Sequence, residues 1–435
     1  MMHSNLNISE VVDQAVQEIG LSVSRRHRVF QAINGLTDAL AGESMSDGYT
    51  VKIFAQGSIA TGTAVNPYSG DSDKCYDADI VAEIIDYPNV QTPEVQAADI
   101  KKIIYLRIDR NAVCSKKLKK KESALCWKIV YEPEPGNVDF SVDILTAKTD
   151  KSDYSILYSK RNDNKTYELL PSSPLSLVSW FLRIARMFSN SEYYNKRRYV
   201  VRSAFKEDNI LDIYANDDAY VDRFVFLPLQ EAVMLLKRAR DVYIVSHKDE
   251  DIKIDSIVLT VLSAYLYKNE SSAFDALGGI LARMCNYAVL ADDPLNNLSV
   301  VGVKNPVITR KYDAKLKEYI WYFPNPVNSD ENLAIRWHEN NNKLAHNFFD
   351  FVMYLRSYSI KLRDAKGLQE IAQILSLLLG ERIGESVFKR IGRQYELANS
   401  VGAIGIDSKT KHISTDSSSD SFRSVKKNTF YGDGK

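Results

Sequence analysis

A turn of small residues followed by a pair of aspartates constrains this chain more than any other feature of its sequence. The segment FAQGSIATGTAVNPYSGDSDKCYDADIVAEI spans residues 54–84. An apolar run leads into Gly57 and Ser58, which predicts a strand that ends in a tight turn. Farther along, Asp77 and Asp79 alternate within a second apolar run, which predicts another strand. The order of these parts is more specific than any part alone.

The two aspartates indicate a cation site. Residues two apart on a strand point to the same face, so Asp77 and Asp79 hold their carboxylates side by side, which is unfavourable without a cation between them. Asp143, in FSVDILTA, offers a third carboxylate on a later strand. Three such carboxylates are typical of sites for two Mg²⁺ ions, which prefer oxygen ligands, and Mn²⁺ could replace them. Acids alternating on a strand can also simply mark its solvent face, but apolar residues flank these on both sides.

The glycine turn is the matching candidate for a phosphate site. Gly57 allows the backbone to come close to a phosphate, and Ser58 adds a hydroxyl donor. Gly57 and Gly62 have the spacing of a P-loop, but Thr63 stands where that motif requires lysine, so the P-loop interpretation fails. A glycine–serine turn on its own is most often only a turn.

The periodicity of the chain predicts an α+β protein with two lobes. A long helical pattern runs from about Ser9 to Ala41, and strands with one helix follow it; beyond Pro174 the patterns are nearly all helical. We therefore predict a catalytic lobe with an N-terminal long helix over residues 1–170, a helical lobe over 171–400 and a flexible polar tail over 401–435.

Composition narrows the classes of function. Lysine plus arginine equals aspartate plus glutamate at 56 each, so no net charge draws the chain to nucleic acid or to an anionic membrane. The lysine run KKLKKKE at 116–122 is the one basic patch, and a solvated loop is the simplest interpretation of it. The four cysteines and six histidines show no metal-ligand spacing. With no signal core and no apolar run of about 20 residues, we expect a cytoplasmic protein.

The ordered motifs resemble those of the nucleotidyltransferase superfamily with a DNA polymerase β-like catalytic fold. The finer similarity is to the CD-NTases, relatives of cyclic GMP–AMP synthase that make cyclic oligonucleotides. QGSIATGT resembles the phosphate-binding signature of that family, YDADIV its metal motif and VDILTA its third-acid strand. ELLPSSPLSLVSWF and NPVNSDENLAIRW resemble later signatures of the helical lobe. The resemblance covers residues 51–398, approximately, and only the early motifs are chemically diagnostic.

The resemblance implies roles for individual residues. Asp77, Asp79 and Asp143 match the catalytic metal ligands, and the VDIL frame favours Asp143 over Asp139, which shares its strand face. Gln56, Gly57 and Ser58 match the nucleotide-binding turn. Lys237 and Ser256 match contacts to the donor triphosphate. Lys237 could instead be a solvated lysine on an amphipathic helix, and Ser256 could cap the helix that begins there. Asn325 and Asn328 are candidates for lining a base pocket.

The resemblance also implies an activity. It predicts an enzyme that joins nucleoside triphosphates, ATP expected among them, into a cyclic di- or trinucleotide for antiphage (CBASS) signalling. An operon-encoded regulator that binds the protein or its tail is an expected partner, whereas nucleic acid and membrane are not. Two rivals stay open. One is an RNA-tailing or antibiotic-modifying enzyme of the same superfamily, and the other is a non-catalytic binding module on the same fold.

Overall fold

The structure is a computed structural model that describes most of the 435 residues. The described residues are 8–41, 48–68, 75–88, 91–132, 140–150, 155–208, 210, 212–248, 251–365, 367–400, 405–408, 413–414 and 422–424. Asp139, the alternative third acid, lies outside these ranges. So do most of the predicted tail and the segment PEPG at 133–136, for which the sequence predicts a turn.

A six-stranded sheet builds the catalytic lobe. Its strands run in the order β1-β2-β4-β5-β6, and β3 pairs with the first part of β4. Strands β2 and β4 are parallel, and the other pairs of this sheet are antiparallel. The strands of the described chain are β1 (Thr50–Gln56), β2 (Tyr76–Ile85), β3 (Cys126–Tyr131), β4 (Phe140–Thr149), β5 (Ile156–Arg161), β6 (Tyr167–Ser172), β7 (Thr309–Asp313), β8 (Glu318–Tyr322), β9 (Pro324–Asn325), β10 (Asn328–Asn332), β11 (Gly405–Asp407), β12 (Ile413–Ser414) and β13 (Phe422–Ser424).

Helices cover one face of that sheet and form the second lobe. They are α1 (Ile8–Ile19), α2 (Val23–Leu40), α3 (Gly57–Thr61), α4 (Pro93–Arg110), α5 (Cys114–Lys117), α6 (Pro174–Ala185), α7 (Ser191–Glu207), α8 (Asp212–Ala215), α9 (Asp218–Val221), α10 (Pro228–Ser246), α11 (Ser256–Leu266), α12 (Ala273–Cys285), α13 (Val289–Asp292), α14 (Glu339–Asp364), α15 (Leu368–Leu379) and α16 (Glu381–Ser400). Two 3₁₀ turns lie at Asp222–Phe224 and Leu298–Val301. No helix of the described residues is both long enough and apolar enough to span a bilayer.

Two apolar cores hold the lobes together. Strand alternation turns Ala78 and Ile80 of β2 into the first core, where they pack with α2 and α4. The second core is formed by the helices that follow Pro174, centred on α10, in which nearly every side chain up to Ala239 is buried. Because α1 buries Val11, Val12 and Ala15 in this second core, the N-terminal helix packs with the helical lobe.

The structure differs from the sequence prediction at three places. The predicted long N-terminal helix is two helices, because the backbone of Gly20 pairs with Val65 and Ser22 caps α2 by accepting from the Arg25 N–H. Strands β5 to β10 were not predicted, since they are short and follow turns between longer apolar patterns. Within the predicted flexible tail, the described residues form three short paired strands, in which Ile406 lies opposite Ile413.

Candidate active site

Strand register brings the acidic side chains together on one face of the sheet. In the parallel β2–β4 pair, Asp77 lies opposite Ser141 and Asp79 lies opposite Asp143. The antiparallel β3–β4 pair places Lys128 opposite Asp143. Paired residues of neighbouring strands project to the same side, so these five side chains form one cluster on the face away from Ala78 and Ile80.

Lys128 supplies the positive charge of this cluster. Its Nζ lies 3.0 Å from Asp77 Oδ1 and 3.0 Å from Asp143 Oδ1. The same ammonium donates to Ser141 Oγ at 3.2 Å, and the Ser141 hydroxyl donates to Asp77. Asp77 is therefore held by two donors, and its carboxylate is turned toward β3 and β4.

Burial and mutual repulsion perturb the acids. The pKa of Asp79 is raised to about 6, mainly because the carboxyl is buried and further because Asp143 and Asp77 lie close, while Lys128 and Lys237 oppose the shift. Burial also raises the pKa of Asp143, and its contact with Lys128 partly offsets this. A cluster of carboxylates with raised pKa values in a cavity is a common sign of a functional site.

The donor set suits a hard divalent cation. In the described part of the chain, no set of three aspartate, glutamate, histidine or cysteine side chains is arranged closely enough to hold a metal ion. The Lys128 ammonium lies between two of the three carboxylates. Asp143 Oδ1 is nevertheless buried without an aligned hydrogen-bond donor. Three carboxylates on one face of the sheet, with Lys128 as the cation beside Asp143 Oδ1, match the oxygen ligands that Mg²⁺ and Mn²⁺ prefer.

The glycine turn lies directly beside these acids. Gln56 is opposite Asp79 in the β1–β2 pair. Gly57 has a φ of 61°, and a Cβ added there would lie 2.8 Å from Asp79 Oδ2. Glycine is therefore required both by the left-handed backbone and by the close approach of the carboxylate. Ser58 follows in the single-turn helix α3, and its carbonyl accepts from the Thr63 N–H at 2.8 Å.

Helix α10 provides positive charge from the opposite lobe. Lys237 is buried, and its Nζ donates to Thr63 Oγ1 at 2.8 Å. Burial lowers the pKa of Lys237 to about 7; the nearby Arg240 lowers it further, while Asp241 and Asp79 oppose the change. Lys237 is thus not the solvated lysine of the alternative interpretation. In this environment a phosphate group would stabilise its charged form.

Arg240 lies about one helical turn beyond Lys237 and contacts Ser256. Its guanidinium donates to Ser256 Oγ and to Asp241 Oδ1. Ser256 does not cap α11, because Asp255 occupies the cap position. The sequence analysis missed Lys128, Thr63 and Arg240. Arg240 could have been found from its spacing, since residues three apart on a helix share a face, whereas Lys128 depends on the β3–β4 register.

A single cavity of about 550 Å³ unites these groups. Seven of the eight predicted site residues line it, and the eighth, Asp143, lies next to it beside Asp79. Side chains of α6 and α11 form an apolar wall of the cavity, and the hairpin of β9 and β10 forms a polar wall. Such a volume, with an apolar wall and few converging polar groups, is typical of a small-ligand site. Besides these residues and Asn325, the cavity is lined by Thr61, Thr63, Val65, Pro67, Ser172, Ser173, Pro174, Leu177, Val178, Trp180, Phe181, Arg240, Asp241, Ile257, Thr260, Val261 and Glu331.

The predicted base-pocket residues and the lysine run have different locations. Asn325 lines the cavity and is buried. The Asn328 side chain accepts from the Asp330 N–H within a turn and is not among the cavity residues. In the lysine run, Lys116 and Lys117 belong to the short α5, and Lys119 to Lys121 are exposed on the surface.

The fold is that of the CD-NTases, with a polymerase β-like catalytic lobe. The Bradyrhizobium diazoefficiens CD-NTase CdnG, solved in complex with GTP, matches with a TM-score of 0.63 at 15% identity, over 88% of this chain and 99% of that chain. The CdnC of E. coli MS115-1, solved with ATP, matches with a TM-score of 0.54 at 13% identity, over 85% and 97%. CdnC has also been solved in complex with HORMA-deltaN.

A relative is also found by sequence. The c-di-GMP synthase of Roseivirga ehrenbergii is 24% identical over 391 residues, which are 89% of this chain and 86% of that protein. No family model matches the sequence. The chain is therefore similar in sequence to this synthase and similar in fold to the CD-NTases.

Proposed function

We propose that the protein is a nucleotidyltransferase that joins nucleoside triphosphates into a cyclic dinucleotide or trinucleotide. The observation that carries the proposal is one cavity lined by Asp77 and Asp79, with Asp143 beside Asp79, and by the basic residues Lys237 and Arg240 of the helical lobe. A metal–triphosphate complex has the matching charges, since its metal needs oxygen ligands and its phosphates need cations. The relative named c-di-GMP synthase and the fold of CdnG and CdnC support the same activity.

In the proposed reaction, a ribose hydroxyl oxygen of one nucleotide forms a bond to the α-phosphorus of another. The bond between that phosphorus and the bridging oxygen to the β-phosphate breaks, and pyrophosphate leaves. A second transfer of the same kind closes the ring of a dinucleotide, and a third closes the ring of a trinucleotide, with one pyrophosphate released at each transfer. Asp77, Asp79 and Asp143 would hold two Mg²⁺ ions, which when bound activate the hydroxyl and stabilise the leaving group. Lys237, Arg240 and the Ser58 turn would orient the triphosphate.

Radiolabelled triphosphates test the proposal directly. The purified protein is incubated with Mg²⁺ and all four ribonucleoside triphosphates, one labelled at a time, and the products are treated with phosphatase. We expect a phosphatase-resistant product that is absent with Asp77→Asn/Asp79→Asn. Asp38→Asn/Asp109→Asn is the matched control, because both of its acids are exposed on the outer helices α2 and α4. A product that persists in the Asp77/Asp79 variant would refute the assignment of the site.

The rival activities predict other products. A linear, phosphatase-sensitive product, or extension of an added RNA end, would indicate a tailing enzyme. No transfer to any acceptor, with triphosphate binding retained, would indicate a binding module.

We also propose that the product is a second messenger in antiphage defence in the cytoplasm, under the control of a protein regulator. The family resemblance supports this, as does the complex of CdnC with HORMA-deltaN. Phage challenge of cells that carry the complete operon tests it. Protection that survives Asp77→Asn/Asp79→Asn would contradict the proposal.

A further inference from the structure

A carboxylate projects into the nucleotide cavity from the helical lobe, away from the acidic cluster on the sheet. It belongs to Glu331, which lines the cavity together with Asn325. Both residues come from the β9–β10 hairpin, where the register shifts between Asn328 and Asn332. Glu331 falls within this irregular stretch. Bulges of this kind redirect a side chain out of the regular alternation and are frequent beside active sites.

Asn325 fixes the orientation of that carboxylate. Its side chain is buried, with 4% of the residue exposed. Its Oδ1 accepts from the Val327 N–H at 3.1 Å, so its Nδ2 is directed to Glu331 and donates to Glu331 Oε2 at 2.7 Å. Among the described residues, Glu331 Oε1 has no hydrogen-bond or ion-pair partner. Oε2 keeps a free lone pair, because a carboxylate oxygen can accept two hydrogen bonds.

An ionised carboxylate accepts hydrogen bonds and donates none, so it selects a ligand edge with donors. Guanine carries two adjacent donors on its Watson–Crick edge, N1–H and the 2-amino group. Adenine, cytosine and uracil each present one donor group on that edge, next to acceptors that a carboxylate would repel. The apolar side chains of Leu177, Trp180 and Val261 line the same cavity and suit the faces of a base.

We propose that Glu331, positioned by Asn325, selects a guanine base in this cavity. The inference rests on the proposed function, since it names the base of a nucleotide that the same site would bind. The inference identifies guanosine triphosphate as one of the substrates of this protein.

Binding of three analogues to the full chain tests this inference. The α,β-methylene forms of GTP, ITP and ATP cannot release pyrophosphate, and ITP lacks only the 2-amino group of GTP. By calorimetry with Mg²⁺, we expect GTP to bind about 10 to 100 times more tightly than ITP or ATP, since a good bidentate contact to a base discriminates by about that much. Glu331→Gln should remove most of the GTP preference over ITP and improve ATP binding, because an amide pairs one donor and one acceptor with adenine.

A control variant and the pattern across the three analogues isolate the contribution of the Glu331 carboxylate. Glu318→Gln removes a charge from the exposed face of the neighbouring strand β8 and should leave the ratio of GTP to ITP affinity unchanged. If Glu331→Gln weakens all three analogues equally, the carboxylate contacts the ribose and the inference is wrong. If the wild type does not distinguish GTP from ITP, it is also wrong. Guanine selectivity that depends on Glu331, without any cyclic product, would instead uphold the inference and refute the proposed activity.

Discussion

Replacing Lys128 by methionine should tighten the binding of a divalent ion to the acidic cluster. The ammonium lies 3.0 Å from one oxygen of Asp77 and 3.0 Å from one oxygen of Asp143. A cation that takes these oxygens must displace the ammonium or share the carboxylates with it. Methionine keeps much of the length and apolar contact of the lysine stem and removes the charge.

The expected magnitude follows from Coulomb's law. Two unit charges 4 Å apart interact by about 1 kcal/mol in water, and a divalent ion doubles this to about 2 kcal/mol. The Lys128 side chain is 33% exposed, so the water value applies better than the value for a protein interior. Because the lysine can also swing aside, we expect about 1–2 kcal/mol, or about a 5- to 30-fold tighter dissociation constant.

The assay is titration of Mn²⁺ without nucleotide, followed by the electron paramagnetic resonance signal of the free ion. It should be run near pH 8.5, because Lys128 lowers the pKa values of Asp79 and Asp143 and its removal lets them rise. Lys52→Met is the matched control, an exposed lysine of β1 that contacts no carboxylate of the cluster. Equal or weaker Mn²⁺ binding by Lys128→Met would refute the competition that we infer.

Three further predictions concern charge and backbone geometry. The pKa of Lys237 is about 7 in the free protein, so the protein should take up close to one proton when it binds a triphosphate analogue at pH 8.5, as the ammonium forms. Calorimetry in buffers of different ionisation enthalpy should show this proton uptake, and Lys237→Met should abolish it. Gly57→Ala should cost about 1–2 kcal/mol of backbone strain and push aside the Asp79 carboxylate, so Mn²⁺ affinity should fall at least about tenfold. Unchanged Mn²⁺ affinity would contradict the close approach of Gly57 to Asp79. Arg197→Met should lower the free energy of unfolding by about 3–5 kcal/mol, because Arg197 Nη2 lies 2.7 Å from Glu231 Oε1 and its loss would leave that buried carboxylate without a cation, with the Tyr193 hydroxyl as its remaining donor. A loss in urea unfolding below about 1 kcal/mol would show that the ion pair is not needed.

The sequence predicted the parts of the site whose positions depend only on residues nearby in the chain. Alternation within β2 is enough to put Asp77 and Asp79 on one face, and the glycine before Ser58 is enough to predict the turn. The close contact of that turn with Asp79 is not local, because it depends on the β1–β2 register. Lys237 was found through resemblance, and only the structure shows that it is buried against Thr63.

Two of the residues that the sequence analysis missed, Lys128 and Glu331, depend on pairing between strands. Lys128 stands beside Asp143 because β3 and β4 pair antiparallel in one particular register, and a shift by one residue would turn it to the other face. Glu331 enters the cavity from an irregular hairpin whose register no periodic pattern predicts. The break between α1 and α2 likewise rests on a bridge from Gly20 to Val65, 45 residues farther along the chain.

In the free site, the basic side chains of Lys128 and Arg240 already pair with carboxylates of the protein, and this has a consequence for substrate binding. Lys128 pairs with two carboxylates, and Arg240 pairs with Asp241. A metal ion alone would repel Lys128, whereas a triphosphate alone would meet the carboxylates Asp77 and Asp79, which line the same cavity. If both bound together, Asp77 and Asp143 would hold the metal in place of the Lys128 ammonium, and the phosphates would offer new partners to that ammonium and to Lys237. We therefore expect the site to bind the metal–triphosphate complex more tightly than either component alone. Only the complex supplies both a cation for the carboxylates and anions for Lys128 and Lys237.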